Sequence, residues 1–445
     1  MSLNLIKFYF LLLPVIEFYK FSGLFSRVII SDLIFMPILF LAISNIKKLY
    51  KREFWSIFDI IFSMWVVSIS ITIFTSTDTY STAFELIKSL YLLLLYFSIR
   101  LLIEPIQLED IIIFVIYSCV FWGVFAVIIW LVATFNQEAN FMVSAIKTYP
   151  YIGSVYRIQL FTGSPNMFIG FLLMGISFSW SKFLYLSYTS KNKLLYFISI
   201  SVIFISLLLT FSRDILVVVC SILVSYYYFS SYKFTKKIKN KNFVIFILLI
   251  LLLLSYIMLS HFILSDNNEY AINNLINGQY ISGLTPPVTT FSTLKHDYII
   301  YKSIYYELKI AAVRIFNESR SFGVGAGNFN ESLSLLKDKH AYPKNFTSWD
   351  PHSTYFGALS EQGILGVVVI CSILFSSIIK CHINIKNSIR FNYIDIGFAS
   401  LFIGISIQAI CVDVMNFRHY WFIFALFATS TSLRDEFSKQ AAFKS

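Results

Sequence analysis

The stretch WDPHSTYFGALSEQGILG, residues 349–366, places titratable side chains where a polar segment gives way to an apolar run. His352 carries an imidazole, which titrates near neutral pH and can act as a general base. Asp350 or Glu361 can orient such a ring by accepting a hydrogen bond from its other N–H. A simpler interpretation is a helix start, with Asp350 or Ser353 as the capping residue.

Four arginines beside apolar segments are further candidates: Arg157, Arg213, Arg314 and Arg320. Arg213 interrupts the run LLLTFSRDILVVV, where a charge is costly unless it is paired or belongs to a functional site. An ion pair with Asp214 or snorkelling to the membrane interface would explain it without a site. Arg314 fits a lipid headgroup contact equally well, and Arg157 and Arg320 fit plain surface charge.

The elements that must position these residues are membrane helices. Of the 445 residues, 57% are hydrophobic and 13% are charged, and the mean hydropathy is +0.73. A water-soluble protein of this composition would have an apolar surface. Because apolar runs of about 20 residues recur along the chain, we predict an all-α polytopic membrane protein with about twelve transmembrane helices. The predicted spans are residues 5–19, 28–45, 55–75, 84–101, 111–134, 166–187, 194–211, 214–230, 242–264, 353–378, 394–412 and 419–433.

Basic residues follow the predicted spans and indicate their orientation. The loops rich in lysine and arginine all fall on one side of the membrane, and they comprise residues 47–52, 182–193, 233–241 and 380–390. The positive-inside rule makes that side cytoplasmic, together with both termini. Residues 135–165 and 265–352 then lie on the periplasmic side of a bacterial inner membrane. The net charge of +11 is spread over loops and forms no basic face, so we expect no nucleic-acid partner.

This topology divides the chain into four regions. They are N-terminal scaffold helices (1–134), helices with the first periplasmic loop (135–264), a large periplasmic loop between predicted helices 9 and 10 (265–352), and C-terminal helices with a cytoplasmic tail (353–445). In the large loop, DYIIYKSIYYELKIAAVRIF (297–316) has the pattern of an amphipathic helix on the bilayer surface. GVGAGNF (323–329) is typical of a tight turn, and it lacks the Lys-Ser/Thr of a nucleotide-binding P-loop.

Neither a cofactor nor a metal is expected from the sequence. The five cysteines fall in or beside apolar spans without paired spacing, so neither a disulfide framework nor a zinc site is indicated. The outer segments contain Asp and Glu residues, but no DxD or HExxH spacing that would hold a divalent ion.

The His352 segment resembles a signature of the bacterial O-antigen polymerase and O-antigen ligase superfamily, H-[NSQ]-x9-G-x-x-G. Here His352 and Ser353 are followed, after nine residues, by Gly363-Ile-Leu-Gly366. Glycines three apart on one helix face let a neighbouring helix approach closely, so we expect Gly363 and Gly366 to serve packing.

The resemblance extends over most of the second half of the chain. RIQLFTGSPN (157–166) and FSRD (211–214) are similar to segments that this superfamily carries ahead of the histidine. Arg314 followed by GVGAGNF matches its arginine and glycine turn, in the same order along the chain. Residues 1–130 show no comparable pattern.

The resemblance implies a polysaccharide repeat-unit polymerase of lipopolysaccharide biosynthesis. Such an enzyme transfers a glycan from undecaprenyl diphosphate to an acceptor sugar hydroxyl at the periplasmic face of the inner membrane. His352 would take the proton of that hydroxyl, and arginines would bind the diphosphate, whose negative charge grows as the glycosidic bond breaks. The residues expected to bind the diphosphate or the glycan are Arg213, Arg314, Arg157, Arg320, Asp350 and Glu361.

The partners implied are an undecaprenyl-diphosphate-linked oligosaccharide, an acceptor glycan, membrane lipids and a chain-length regulator protein. The acceptor is a lipid-linked repeat unit for a polymerase. An O-antigen ligase, the first alternative, carries the same signature but passes finished polymer to the lipid A-core. A polysaccharide flippase or other transporter, the alternative from another class, would also have many spans with intramembrane charges. The chain shows neither the internal repeats nor the interrupted spans that are common in transporters.

Overall fold

The structure is a computed structural model in which the chain is mostly helical. It describes residues 2–16, 30–51, 54–135, 143–149, 153–186, 191–212, 214–233, 261–265, 284–292, 297–342, 350–387 and 392–444. The helices in these ranges are α1 (Ser2–Leu12), α2 (Ile30–Ser44), α3 (Ile57–Thr72), α4 (Thr79–Leu102), α5 (Leu108–Phe135), α6 (Pro165–Tyr185), α7 (Lys191–Leu208), α8 (Ile215–Lys233), α9 (Ile304–Ser319), α10 (Phe329–Asp338), α11 (Thr354–Asn387), α12 (Tyr393–Gln408) and α13 (Arg418–Lys444). The strands are β1 (Val143–Tyr149), β2 (Gly153–Ile158), β3 (His261–Ser265), β4 (Leu284–Ser292) and β5 (Asp297–Ser303).

Several of these helices have the length and composition of membrane spans. Among the described residues, those long and apolar enough to cross a bilayer are Ile57–Thr75, Thr79–Leu102, Pro105–Phe135, Pro165–Tyr185 and Thr354–Lys386. Shorter apolar helices of 10–17 residues occur at α1, α2, α7, α8 and α12. The predicted class, a helical membrane protein, is confirmed at this level, whereas the predicted count of about twelve spans is matched only in part.

Exposed apolar side chains form stripes along individual helices. α2 exposes Leu33, Met36, Phe40 and Ile43, and α3 exposes Ile57, Ile60, Met64 and Val67. Residues three and four apart lie on one face of a helix, so each set is a continuous apolar strip. Contact of such strips with water is unfavourable, whereas lipid acyl chains accommodate them. The stripes therefore agree with a membrane location.

A buried ion pair joins α3 to α4. The Arg100 guanidinium donates to the Asp59 carboxylate at 2.8 Å, and both side chains are almost fully buried. The Tyr96 hydroxyl donates to the same carboxylate at 2.8 Å, as do the amide and hydroxyl of Ser56 at 2.6 and 2.8 Å. Because the two charges are bonded to each other, the pair needs no substrate to explain it.

Two segments that were predicted to be helical form β-strand over part of their length. The predicted span 242–264 lies mostly outside the described residues, and its last residues belong to β3. The predicted amphipathic helix 297–316 begins with β5, so that α9 starts only at Ile304. β5 pairs antiparallel with β3 on one side and β4 on the other. The aromatic and β-branched residues of DYIIYKS and HFILS favour a strand once pairing partners are available.

The apolar face of α9 is buried in the protein, and this differs from the predicted placement on the bilayer surface. Its buried residues are Leu308, Ala311, Ala312 and Ile315. They form one apolar cluster with residues of α10, and α9 also packs against α11. The helix is therefore amphipathic because α10 and α11 cover one of its faces.

Helix α11 is interrupted at Gly363. This residue has φ +66° and ψ −154°, a backbone conformation that residues with side chains rarely adopt. The break frees the carbonyl groups of Ser360 and Glu361, which a continuous helix would bond to amides four residues further on. The amides of Val324 and Gly325 donate to these two carbonyls instead, each at 3.0 Å. The segment that follows α9 therefore fills the break.

That segment is the turn GVGAGNF, and the predicted tight turn is confirmed because all three of its glycines have positive φ. A Cβ on Gly323 would lie 2.4 Å from the carbonyl carbon of Glu361, so the close approach to α11 requires glycine. On the other side of the turn, the Asn328 side-chain amide donates to Ser76 Oγ at 2.7 Å, in the connection between α3 and α4. The turn thus ties the break in α11 to the start of α4.

Gly363 and Gly366 do not form the predicted face for a neighbouring helix. A Cβ on Gly363 would lie 2.0 Å from the Ser321 carbonyl oxygen, which belongs to the turn after α9. A Cβ on Gly366 would lie 2.5 Å from Cβ of Gln362, whose side chain accepts a hydrogen bond from Ser68 Oγ of α3 at 2.9 Å. The break at Gly363 ends the helical repeat that would have aligned the two glycines.

We expect Gly363→Ala to destabilise the protein. The left-handed backbone alone costs a residue with a side chain roughly 1–2 kcal/mol, and the new methyl group would displace the turn at Ser321. The measurement is the apparent melting temperature of purified protein in detergent. Gly357→Ala is the matched control, because its Cβ would meet nothing closer than Pro351 Cγ at 3.8 Å. Equal melting temperatures for the two variants would contradict this role of the break.

Candidate functional site

His352 lies two residues before α11, at the end of the bundle where the glycine turn covers that helix. Its backbone is left-handed, with φ +45°, and its side chain is partly exposed. The Nε2 atom lies 3.3 Å from Oδ1 of Asp350. The edge of the ring packs against Tyr305 of α9, with ring centroids 5.0 Å apart and planes at 86°. The imidazole is therefore held between a carboxylate and an aromatic ring.

The first residues of α11 are bonded to the connection between α12 and α13. Ser353 Oγ donates to the Ala409 carbonyl at 3.0 Å and accepts from the Phe356 amide at 3.5 Å. Thr354 Oγ1 donates to the Val412 carbonyl at 3.0 Å. Ser353 thus caps the helix, as the simpler interpretation predicted. Because the cap and the imidazole belong to different residues, a helix start and a reactive histidine coexist here.

Three influences act on the protonation of His352. Burial lowers its pKa, because an imidazolium loses hydration in the site. The Asp350 carboxylate raises the pKa of His352, because it attracts the protonated ring. The Lys309 ammonium lowers this pKa, because it repels the protonated ring. The net direction is downwards from the ordinary value. A neutral imidazole, the form that accepts a proton, is therefore favoured at neutral pH.

Lys309 is a member of the site that the sequence analysis missed. It lies on α9 one turn after Tyr305, so both side chains project from the same face of the helix. Burial lowers the pKa of its ammonium, and Cys411 and Asp214 act in the opposite direction. A lysine beside the apolar residues Leu308 and Ala312 was the available signal, because charges are rare on such a face.

The acidic candidates from the sequence have different partners. Asp350 is the carboxylate beside His352. Glu361 accepts a hydrogen bond from the Phe329 amide at 3.3 Å, so it binds the N-terminus of α10. Asp413 accepts from the Met415 amide at 3.2 Å. Burial, with the nearby charges of Asp350 and Glu85, raises the pKa of Asp413 to about 6. Across the described residues, no three His, Cys, Asp or Glu side chains are grouped to hold a metal ion.

Arg157 and Arg314 are the two candidate arginines whose side chains the structure describes. Arg157 Nε donates to the Thr210 carbonyl at 3.1 Å, at the end of α7. Arg314 is exposed and donates to the Ala341 carbonyl. Arg213 lies outside the described residues, as does the side chain of Arg320. Arg157 is therefore placed beside the α7–α8 connection, which also carries Asp214.

Asp214 is held by a hydrogen-bonded network inside the bundle. Gln408 Nε2 donates to Asp214 Oδ2 at 3.4 Å and to the Asn166 carbonyl at 3.0 Å. The Tyr420 hydroxyl donates to Gln408 Oε1. Ser212 Oγ donates to Asn166 Oδ1 at 2.9 Å. Helices α6, α12 and α13 thereby fix the carboxylate that acts on Lys309.

No model of a known protein family matches the chain, and no curated protein sequence matches it significantly. The likeness to the O-antigen polymerases and ligases consists of the His352 segment and the motifs that accompany it.

We expect Asp350→Asn to lower the pKa of His352 further, because the substitution removes a charge that attracts the imidazolium. Diethyl pyrocarbonate modifies only neutral imidazole, so its reaction with His352, followed by peptide mass spectrometry, should persist to a lower pH than in the wild type. His382, exposed near the far end of α11, serves as the internal control and should keep its profile. A shift of His352 to higher pH, or none, would contradict the electrostatic role of Asp350.

Proposed function

We propose that the protein is a bacterial inner-membrane glycosyltransferase that uses an undecaprenyl-diphosphate-linked donor, with His352 as its general base. One observation carries this proposal: the His352 imidazole, just before the start of the interrupted helix α11, is favoured in its neutral form and lies beside Asp350. An uncharged base at a membrane interface suits a reaction between a lipid-anchored donor and a hydroxyl acceptor.

The reaction requires the transfer of one proton and the cleavage of one bond. The acceptor hydroxyl attacks the anomeric carbon of the donor sugar, and His352 takes the hydroxyl proton as the new glycosidic bond forms. The bond to the lipid diphosphate breaks, and its electron pair stays on the leaving oxygen. Asp350, 3.3 Å from Nε2, stabilises the imidazolium that results. Cations near the leaving group stabilise its growing negative charge.

Within this class we propose a repeat-unit polymerase, which transfers the growing glycan onto a lipid-linked repeat unit. The basic loops support a cytoplasmic side opposite to His352 and therefore support a site at the periplasmic face. The donor's polyprenyl chain would lie in the bilayer and its diphosphate at the interface. Both groups could reach a site that opens at the end of a membrane helix.

We expect His352→Ala to abolish glycan transfer while the protein reaches the membrane in normal amounts. A positioned general base contributes about 10²- to 10⁴-fold in rate. Ser353→Ala is the matched control, because loss of a capping hydroxyl costs about 1 kcal/mol of stability and leaves the imidazole in place. Transfer is measured from purified lipid-linked donor, after the yield of each variant has been checked. Wild-type rates from His352→Ala would rule out the base assignment.

Glycan analysis of a deletion strain separates the proposed polymerase from its alternatives. We expect lipopolysaccharide carrying a single repeat unit, because the transfer to the core would continue without polymerisation. A bare core with accumulated lipid-linked polymer would instead show a ligase. Loss of outward-facing lipid-linked units would show a flippase. Either of these two results would contradict the polymerase.

A further inference from the structure

Lys309 occupies an unusual environment for a lysine. Its neighbours on α9 include Leu308, the preceding residue, and Ala312 on the same face, and both are fully buried. The ammonium forms no salt bridge within 4 Å with any residue that the structure describes, although Asp214 acts on it electrostatically. Snorkelling into water would leave its pKa near the ordinary value, whereas burial lowers it. A partly desolvated cation is costly unless an anion completes its environment.

The position of Lys309 relates it to the His352 imidazole and to the Asp214 carboxylate. It lies one helical turn from Tyr305, whose ring packs on His352. Asp214, which Gln408 and Tyr420 hold from inside the bundle, attracts its ammonium. An ammonium that is attracted by a fixed carboxylate and acts on the imidazole can meet a ligand that approaches His352.

We propose that Lys309 binds the diphosphate of the lipid-linked donor and places the leaving group beside His352. This inference rests on the proposed function. Lysine offers a compact charge with three donors, which suits the several oxygens of a diphosphate. Asp214 attracts the ammonium, and the donor completes its neutralisation.

This arrangement couples donor binding to the base. Without the donor, repulsion from Lys309 helps to keep His352 neutral. When the diphosphate neutralises Lys309, that repulsion is removed, so the proton affinity of the imidazole rises only in the loaded site. Asp350 and Tyr305 also border the imidazole, and their contribution is present with and without the donor.

The binding test uses undecaprenyl diphosphate as the probe and native mass spectrometry of the full chain in detergent. We expect Lys309→Met to weaken binding by about tenfold, the loss typical of one charge-assisted hydrogen bond. Lys309→Arg should retain most of the affinity, because the charge remains. Lys339→Met is the matched control, since Lys339 is an exposed lysine paired with Glu318 at 3.0 Å. If Lys309→Met does not fold, Lys309→Gln replaces it.

A second readout follows His352 by its reaction with diethyl pyrocarbonate across pH. Lys309→Met should raise the pKa of His352, because the repelling charge is gone. Undecaprenyl diphosphate should shift the wild-type profile in the same direction and leave that of Lys309→Met unchanged.

The outcomes separate the two proposals. Equal affinity of Lys309→Met and the wild type for undecaprenyl diphosphate would overturn the assignment of Lys309 and leave the role of His352 intact. A wild-type protein that binds undecaprenol as tightly as undecaprenyl diphosphate would overturn the proposed function itself.

Discussion

The break in α11 is the constraint on which the site depends. Backbone carbonyl groups within a membrane bundle must be hydrogen-bonded, because no bulk water is available to them. At Gly363 the helix gives up its own bonds, and the amides of Val324 and Gly325 supply the replacement. These two hydrogen bonds anchor the segment between α9 and α10 on α11, so that α9 packs beside the first part of α11. The neighbours of His352 follow from that anchoring.

Two charged regions of the bundle differ in how their charges are satisfied. Arg100 and Asp59 are bonded to each other and to the residues around them, so the pair needs no ligand. At the other region, Asp350 and Lys309 act on His352 with opposite signs, and burial decides the net direction. A site that contains charges of both signs responds to the arrival of one more charge. That property suits a substrate that carries a diphosphate.

The sequence predicts well what depends on composition and on local chemistry. Long apolar runs become α3, α4, α5, α6 and α11, and Ser353 caps α11. It fails where partners distant in the chain decide the structure. The residues of β5 become a strand because β3 and β4 pair with them, and the break at Gly363 exists because a turn some forty residues earlier fills it. Lys309 was missed for the same reason, since its importance comes from the fold that brings α9 to His352.

His352 has a left-handed backbone conformation that lowers the stability of the folded protein. A left-handed conformation at a residue other than glycine is unfavourable by roughly 1–2 kcal/mol. The structure retains it because Ser353 and Thr354, immediately afterwards, are bonded to the Ala409 and Val412 carbonyls, which fixes where α11 begins. Glycine would relieve the strain at this position but would remove the ring that packs on Tyr305 and lies beside Asp350. The strained backbone therefore supports the proposal that the imidazole serves a reaction, although Leu160, Phe211, Ser321 and His340 have positive φ as well.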